Sequence, residues 1–358
     1  MLFELVKVMR DKKGLVVLFM KNGDLKEAID NLGVETILLE SPKMRNAPAV
    51  IKWMISYSKL LTQVNPNIVL NWMPKAHKFT AIPNYVSKKP TCWWQHGVPE
   101  PAHFFDKLTT ILPAETIGAS STVAKIAQLK LTNKHVFCVY PGSDIRKHSP
   151  SVEKRVKIRK ELGISDDTIL IGNVGRIQSW KKQDKLIEAL EILVKQQIKV
   201  KLLLVGGNLY NLDDEYENKI HRLIADKKLE DYVISTGNQK DVTAYYDAMD
   251  LYVHTASGEP FGIVMVEAML HEKPVIAVKS PGSVEIVEHG KTGLLLDSDN
   301  PLLIVSAVKR FLTGNIKVNG KLGRERAITL FSNTNMGLSI IGELEKIGDT
   351  KQTKEVVV

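Results

Sequence analysis

The chain has 358 residues, of which 44% are hydrophobic and 25% are charged. That composition excludes a disordered or fibrous protein, and the length predicts about two globular domains. No apolar stretch approaches the ~18 residues of a membrane span, so we expect a cytoplasmic protein. The two cysteines, Cys92 and Cys138, lie in strand-like apolar runs, which favours buried free thiols over a disulfide or a metal site.

The net charge of +9 is concentrated in the first part of the chain. Residues 1–143 contain 18 Lys and Arg against 10 Asp and Glu, whereas the remaining residues contain 31 against 30. Such a basic half suits contact with an anionic partner, such as an acidic glycan, a lipid phosphate, a membrane surface or nucleic acid. Ordinary solubilising charge is the alternative, because the lysines are scattered and no run of five occurs.

The order of the predicted elements is that of an α/β protein. The chain begins in a predicted amphipathic helix, LFELVKVMRDKKG, with Leu2, Leu5, Val6 and Met9 at helical spacing and Gly14 as its C-terminal stop. Short apolar, β-branched runs then alternate with helix-length segments, as in parallel sheets. In the first half the predicted strands are 16–19, 36–39, 68–72, 92–95, 116–120 and 136–140. In the second half they are 168–175, 201–207, 232–237, 251–256, 274–278 and 293–297.

A turn cluster, YPGSD, and a charged segment separate the two series of strands, which predicts a hinge near residues 141–150. We therefore predict two Rossmann-like domains, residues 1–143 and 151–330, that face each other across a cleft. A helix over 331–347 and a polar tail over 348–358 follow them.

In the first half, the candidate site residue is His96. It follows the predicted strand CWWQ and precedes Gly97, so its ring is expected at the carboxyl end of a strand, where it can hydrogen-bond a substrate hydroxyl or phosphate. A structural histidine is the alternative. For Trp72, Trp93 and Trp94, core packing is the expectation and stacking on a sugar ring is the alternative.

In the second half, a cluster of cations follows the strand TILIGNVG. Arg176 lies in the strand-end turn, and Lys181, Lys182 and Lys185 lie where the next helix begins. Cations at a helix N-terminus oppose the helix dipole, so their presence indicates a bound anion. The arginine fork and the lysine point charge suit a diphosphate. A solvated basic helix start is the alternative.

Glycines end several predicted strands of this half, and they let a ligand approach backbone amides. Gly206-Gly207 ends one strand, Gly282-Ser283 opens a helix, and Phe261-Gly262 precedes another. Each glycine alone is more often a turn, but together they predict a binding site along the carboxyl edge of the sheet.

Two carboxylates flank that last helix start in the run GEPFGIVMVEAML, with seven residues between them. Glu259 lies in a turn after the strand LYVHTA, and Glu267 lies in a helix that is apolar on nearly every face, which predicts a buried helix. A buried carboxylate needs a partner, and both acids lie near a strand's carboxyl end, where open sheets bind ligands. Two solvated charges are the alternative.

The triplet Asp297-Ser298-Asp299 matches the Asp-x-Asp pattern of enzymes that hold a nucleotide sugar through a divalent cation. It lies in a polar loop before a helix, where Asp299 or Asn300 makes an ordinary cap. No other cluster in the sequence has metal-ligand spacing, so no metal site is predicted.

These runs together resemble the nucleotide-sugar-dependent glycosyltransferases of family 4, which are retaining enzymes of the GT-B fold. The resemblance covers nearly the whole chain and is strongest in GNVGRIQSWKKQD, LLLVGG, TGNQKDV, GEPFGIVMVEAM and SPGSVEIVEHGKTGLL. In the first half, WMPKAH and WWQHGVPEP are similar to one bacterial-looking branch.

The resemblance implies roles for individual residues. Arg176 and Lys181 would bind the diphosphate, Glu267 the ribose hydroxyls, and Glu259 the hydroxyls of the donor sugar. His96 would stand beside the reacting sugar, and the last helix would cross back to the first domain. The other implied donor contacts are Gly206, Phe261, Gly262 and Ile263, with Gly237, Asn238 and Gln239 against the base.

The resemblance implies a metal-independent glycosyltransferase. It would move a hexose-type sugar from a nucleoside diphosphate to a glycan or lipid-linked acceptor with retention of configuration, in bacterial-type cell-surface glycan, lipopolysaccharide or glycolipid synthesis. No cofactor beyond this co-substrate is expected. A nucleic-acid partner is not expected, because no basic stripe is interleaved with aromatic residues. The basic first half is consistent with peripheral contact at the inner face of a membrane.

The beginning of the chain departs from the family pattern. Members normally begin with a strand and a Gly-Gly loop, whereas this chain begins inside the helix that follows that loop. A catalytically impaired protein that still binds a sugar nucleotide is therefore the alternative prediction. We expect the lack of the strand and loop to weaken sugar transfer more than donor binding.

Overall fold

The computed structural model describes residues 1–11, 14–209, 212–315 and 318–348, and the backbone of 356–357. They divide into two compact units, one of residues 1–142 with the chain from residue 332 onward, and one of residues 143–331. The boundary falls in the YPGSD turn cluster. The twelve strands predicted from the sequence are all present, with ends within two residues of those expected.

The first unit is a parallel seven-stranded sheet with helices packed on it. Its strands, numbered in chain order, are β1 Val16–Phe19, β2 Glu35–Leu38, β3 Ile68–Asn71, β4 Thr91–Gln95, β5 Thr116–Ala119, β6 His135–Cys138 and β13 Val356–Val357. They lie in the order β2-β1-β13-β3-β4-β5-β6. The helices are α1 Leu2–Met9, α2 Asp24–Asp30, α3 Ala47–Val64, α4 Pro74–Val86, α5 Phe104–Ile111, α6 Thr122–Leu129 and α15 Asn333–Gly348.

The predicted first helix is confirmed as α1, and its apolar face explains its position. Leu5, Val6 and Met9 are almost completely buried, in one cluster with Ile340 and Leu344 of α15. Burying such an apolar stripe is the main source of stability for a short helix, which would not persist alone in water. The last helix of the chain therefore packs with the first.

The middle of this sheet contains a cavity. Strands β1 and β3 both pair with the short β13, where Val16 opposes Val357 and Val356 opposes Ile68. Beyond β13, toward the carboxyl ends of β1 and β3, lies a cavity of about 510 Å³ with mostly apolar walls, among them Leu18 and Leu70.

The second unit is a six-stranded parallel sheet in the order β12-β11-β10-β7-β8-β9. Its strands are β7 Ile169–Val174, β8 Val200–Val205, β9 Val233–Ser235, β10 Leu251–His254, β11 Val275–Val278 and β12 Gly293–Leu296. The helices are α7 Val152–Glu161, α8 Gln183–Lys195, α9 Asp214–Asp226, α10 Thr243–Ala248, α11 Ile263–Leu270, α12 Ser283–Ile286, α13 Pro301–Leu312 and α14 Gly320–Phe331.

Burial in this unit follows the sequence pattern. Every residue of β10 and β11 is buried, as expected of near-continuous apolar runs in a parallel sheet covered on both faces. Helix α11 is also largely buried, with Met265, Val266 and Met269 almost inaccessible. None of the described helices, in either unit, combines the length and hydropathy that a bilayer span requires.

Candidate functional site

Three strands of the second unit end side by side in glycine turns. The backbone amide of Gly206, after β8, donates to the carbonyl of Gly237, after β9, over 3.0 Å. A Cβ on Gly206 would lie 2.1 Å from the carbonyl oxygen of Gly175, which follows β7, and Gly206 has a φ of +126°. Only glycine fits such a contact. The turns therefore form one continuous edge at the carboxyl ends of the strands, where open α/β sheets bind ligands.

The turn that contains Glu259 adjoins the start of α11. Gly262 caps the helix with a φ of +92°, and a Cβ there would meet the side chains of Met265 and Glu259. The amide of Gly282, in the next strand-end turn, donates to the carbonyl of Glu259 over 3.0 Å. The ring of Phe261 is buried and packs edge-to-face on Phe331. The side chain of Phe261 is thus part of the core of this unit.

Glu259 is the centre of a buried charged cluster. Its Oε2 accepts a hydrogen bond from Lys181 Nζ, and the two side chains are only 9% and 13% exposed. The Nε2 of His254, at the end of β10, lies 3.2 Å from the same oxygen, although at an angle poorer than that of an ideal hydrogen bond. Thr255 donates from Oγ1 to the Lys181 carbonyl over 2.7 Å and fixes that backbone. Lys181 and Glu259 thus lie together, as the sequence did not predict.

The cluster keeps Glu259 ionised. Burial alone would raise the pKa of Glu259, but the nearby His254 and the charge of Lys181 outweigh burial and hold this pKa at about 2. Burial lowers the pKa of Lys181, and the Glu259 carboxylate opposes that shift. Burial also lowers the pKa of His254, so its ring is neutral at pH 7. The site therefore combines a carboxylate and an ammonium group with little water around them.

Glu267 has the partners that its buried helix required. Tyr246 donates from its hydroxyl to Glu267 Oε2 over 2.9 Å, and His148 Nε2 lies 3.8 Å from Oε1. Burial lowers the pKa of His148 to about 4, so this contact is with a neutral ring at pH 7. The Glu267 side chain is 18% exposed, so it is not completely buried in the core.

The other three predicted cations, Arg176, Lys182 and Lys185, differ in their surroundings. Arg176 is exposed in the turn after β7, and its carbonyl accepts from Gln183 Nε2 over 2.9 Å. Lys182 adopts a left-handed conformation between a 3₁₀ turn and α8. Lys185 pairs with Glu188 over 3.0 Å, so its charge is already compensated within α8.

The remaining donor candidates lie at the ends of elements in the same unit. Asn238 and Gln239 are exposed in the turn after β9, and Gln239 Nε2 donates to the Thr236 carbonyl over 2.8 Å. Ile263 is the first residue of α11. Asp297 pairs with Lys279 over 2.5 Å, and Asn300 caps α13 by accepting from the amide of Leu302. The Asp-x-Asp loop is thus an ion pair followed by a helix cap.

His96 belongs to the first unit and faces a backbone carbonyl there. Its Nε2 lies 2.5 Å from the oxygen of Trp72 and its ring meets that indole edge-to-face. Because a carbonyl only accepts, Nε2 carries the proton. Burial lowers the pKa of His96 to about 4. Trp93 and Trp94 are completely buried, so for these two core packing is correct and sugar stacking is excluded.

Neither cysteine forms a disulfide, but the expectation that both are buried is wrong for one of them. Cys92 is completely buried in β4, whereas Cys138, at the end of β6, is partly exposed. The reason is position in the sheet: β4 lies inside it, whereas β6 is an edge strand.

Sequence reasoning missed three polar residues of the site, His254, Tyr246 and His148. Of these only His254 carries a usable signal, because it is a polar residue at the carboxyl end of an apolar strand and lies five residues before Glu259. Tyr246 and His148 are brought to Glu267 by tertiary packing.

Comparison with known proteins finds a matching family, curated relatives and similar solved structures. The family described as "Glycosyl transferases group 1" matches residues 154–326, which include all the candidate residues of the second unit. Mannosylfructose-phosphate synthase of Agrobacterium fabrum is 28% identical over 227 residues, which are 60% of this chain and 48% of that protein. D-inositol 3-phosphate glycosyltransferase of Corynebacterium urealyticum is 25% identical over 252 residues, which are 68% of this chain and 58% of that protein.

The chain spans about half the length of the curated relatives that it matches. A similar solved structure, Anabaena Alr3699/HepE in complex with UDP and glucose, is 25% identical with a TM-score of 0.83, over 96% of this chain and 94% of that one. Residues 154–326 of this chain therefore match the glycosyl transferases group 1 family, and the chain has the GT-B fold of solved glycosyltransferases.

Proposed function

We propose that this protein transfers a sugar from a nucleoside diphosphate sugar to an acceptor, with retention of configuration and without a metal ion. The observation that supports this most is the buried Lys181–Glu259 pair at the carboxyl edge of the second sheet. A cation held there by a carboxylate is ready to meet a diphosphate, and water is largely excluded from it.

Lys181 and Arg176 would stabilise the leaving diphosphate. The ammonium group has three protons, of which one goes to Glu259, so two remain for phosphate oxygens. Arg176, in the turn after β7, would add a bidentate fork. The first amides of α11, after Gly262, would add partial positive charge. In the family that the chain resembles, the departing phosphate takes the acceptor's proton, so we assign no separate base.

Glu267 would hold the ribose and Glu259 the donor sugar. A carboxylate accepts two hydrogen bonds from neighbouring hydroxyls, and Tyr246 fixes the orientation of Glu267 from behind. Gly237, Asn238 and Gln239 would contact the base. His96 has only Nδ1 left, as an acceptor, and therefore suits a sugar hydroxyl rather than a phosphate. Its place beside the sugar rests on the resemblance.

The acceptor would bind the first unit. Its basic sequence suits an anionic glycan or lipid-linked acceptor, and the 510 Å³ cavity between β1 and β3 has Lys21 and Lys75 among its lining residues. Synthesis of a bacterial-type cell-surface glycan, lipopolysaccharide or glycolipid at the inner face of a membrane is the process that we propose. The related structure solved with UDP and glucose makes UDP sugars the first donors to assay.

Calorimetry with two ligands tests the assignment of the carboxylates. Glu267→Gln keeps the shape of the side chain but removes its charge, so it should weaken the binding of both UDP and UDP-glucose. Glu259→Gln releases Lys181 from its partner, so UDP should bind at least as well as before while UDP-glucose loses sugar contacts. Asp299→Asn, in the exposed loop before α13, is the control. Equal losses for both ligands in both variants would contradict the assignment.

Metal removal tests the second part of the proposal. With excess chelator, the rate of sugar transfer should stay within about twofold of the rate without chelator, because the leaving group would be stabilised by Lys181 and Arg176. Asp297→Asn with Asp299→Asn should also remain active, since Asp297 only pairs with Lys279 on the surface. A strict requirement for Mg²⁺ or Mn²⁺ that disappears in this double variant would show that the loop is a metal site.

A sugar-nucleotide-binding protein with impaired catalysis is the second candidate. It is suggested by the centre of the first sheet, where, among the residues that the structure describes, the two-residue strand β13 lies between β1 and β3. Turnover separates the candidates. Release of UDP from UDP-glucose, even slowly, supports the enzyme, whereas tight binding of UDP-glucose without turnover supports the second candidate.

A further inference from the structure

The first unit has an apolar surface on helices α4 and α5. Six of its large apolar side chains are at least half exposed. They are Ile82, Tyr85 and Val86 of α4, and Phe104, Phe105 and Ile111 of α5. We call this surface the α4–α5 face. Scattered apolar residues are normal on a protein surface, but a concentrated set marks an interaction site.

Helix α5 buries polar side chains and exposes apolar ones, which is the reverse of an ordinary helix that packs on a core. Its buried side chains are Thr109 and Thr110, whereas Phe104 and Ile111 are 67% and 69% exposed. The threonines are satisfied, because Thr109 Oγ1 donates to the Phe105 carbonyl over 2.7 Å and Thr110 Oγ1 accepts from Gln128. An ordinary surface helix would bury its aromatic residues and expose its hydroxyls. The exposed rings of α5 are therefore not needed by the core.

Side-chain contacts join the two helices into one surface. Lys78 of α4 lies with Nζ 5.5 Å from the centre of the Phe105 ring, and Phe105 meets Phe104 edge-to-face at 5.6 Å. Lys78, Ile82 and Tyr85 follow one another at helical spacings of four and three residues, so they lie on the same side of α4. The apolar residues of both helices thus adjoin each other.

The charges around this face are mostly positive. Residues 74–112 contain five lysines and two acidic residues, and α4 and α5 themselves contain three of these lysines and one of these acids. One acid, Asp106, is already engaged, because it accepts from the amide of Glu100 over 2.9 Å and lies 3.4 Å from His103. Lysines around exposed aromatic and aliphatic side chains are the combination that binds the interface of an anionic bilayer, where rings enter the headgroup region and cations meet lipid phosphates.

We propose that the α4–α5 face docks on the surface of an anionic phospholipid bilayer. The charge selects this occupant over a second copy of the chain, because two such faces would bring their lysines together. Docking concerns binding alone, so it can be tested whether or not the protein transfers sugar. It would hold the first unit at the surface where a lipid-linked acceptor is found.

Sedimentation with vesicles tests docking. The protein should bind vesicles of phosphatidylcholine with phosphatidylglycerol and should bind pure phosphatidylcholine much less. Phe104→Ser with Phe105→Ser should lower the partition coefficient at least about tenfold. Leu302→Ser with Leu303→Ser, on exposed positions of α13 in the other unit, is the matched control and should bind as the original protein does. Unchanged UDP binding and unfolding temperature would show that the variants are folded.

A charge variant tests the second half of the argument. Lys78→Glu with Lys107→Glu should abolish the preference for phosphatidylglycerol, and high salt should do the same to the original protein. Equal binding to neutral and anionic vesicles, binding that survives loss of both phenylalanines, or no binding at all would overturn the proposal. Self-association that disappears in the phenylalanine variant would assign the face to a second copy instead.

Discussion

Replacing Lys181 with alanine is expected to lower kcat/KM for sugar transfer by about 30- to 1000-fold, which corresponds to ~2–4 kcal/mol of transition-state stabilisation. The size of the effect follows from the position of the ammonium group. Lys181 is only 13% exposed and is held by Glu259, so its charge is little screened by water and is already placed before the reaction begins. Negative charge that grows on the diphosphate as the sugar leaves would be stabilised there.

Controls separate this effect from a loss of structure. Lys181→Ala leaves Glu259 buried without its cation, which costs stability on its own. The double variant Lys181→Ala with Glu259→Gln removes that unpaired charge and should restore the unfolding temperature but not transfer. Lys185→Ala, at the same helix start but paired with Glu188, should change kcat/KM less than about threefold. A folded Arg176→Ala, Lys181→Ala double variant with undiminished turnover would refute the proposed role.

The strands and the carboxylate pair could be predicted because their signals are local. A fully buried parallel strand is a continuous, mostly apolar run, and the four residues of β10, LYVH, are consecutive in the sequence. Glu267 in an apolar helix must have a partner for the same local reason. The sequence therefore shows that Glu267 needs a partner, and it predicts that both acids lie near the carboxyl edge of a sheet.

The identity of those partners could not be predicted, because it depends on packing between distant parts of the chain. Lys181 and Glu259 are 78 residues apart, and Tyr246 reaches Glu267 across 21 residues from a different helix. Lys181 was predicted to face an anionic ligand, and its contact with an anionic side chain of the protein satisfies the same electrostatic requirement. The α4–α5 face was also missed, since FFDKLTTI has the periodicity of any amphipathic helix and does not reveal which side faces the core.

Acid is expected to destabilise the second unit through Glu259. The folded-state pKa of Glu259 is about 2, below its ordinary value of 4.5. The stabilisation that results is fully present above pH 4.5 and is lost as the pH falls toward 2, because the unfolded chain binds the proton first. The whole shift corresponds to ~3 kcal/mol, of which about 2 kcal/mol is lost by pH 3. Protonation of the buried His254, whose pKa is also lowered, adds to the loss at low pH.

The variant Glu259→Gln isolates the part that belongs to this carboxylate, because glutamine does not titrate. Between pH 5.5 and pH 3, the free energy of unfolding of this variant should fall by about 2 kcal/mol less than that of the original protein. Its free energy of unfolding at pH 5.5 should be lower than that of the original protein, because Lys181 has lost its partner. Unfolding by denaturant is monitored through hydrogen exchange of the backbone amides of β7, β8 and β10, which restricts the measurement to the second unit. Asp297→Asn, which removes an exposed acid whose ion pair with Lys279 is screened by water, is the control and should change the acid dependence much less than Glu259→Gln does. Parallel pH curves for the original protein and Glu259→Gln would mean that Lys181 and His254 do not stabilise the ionised carboxylate in solution.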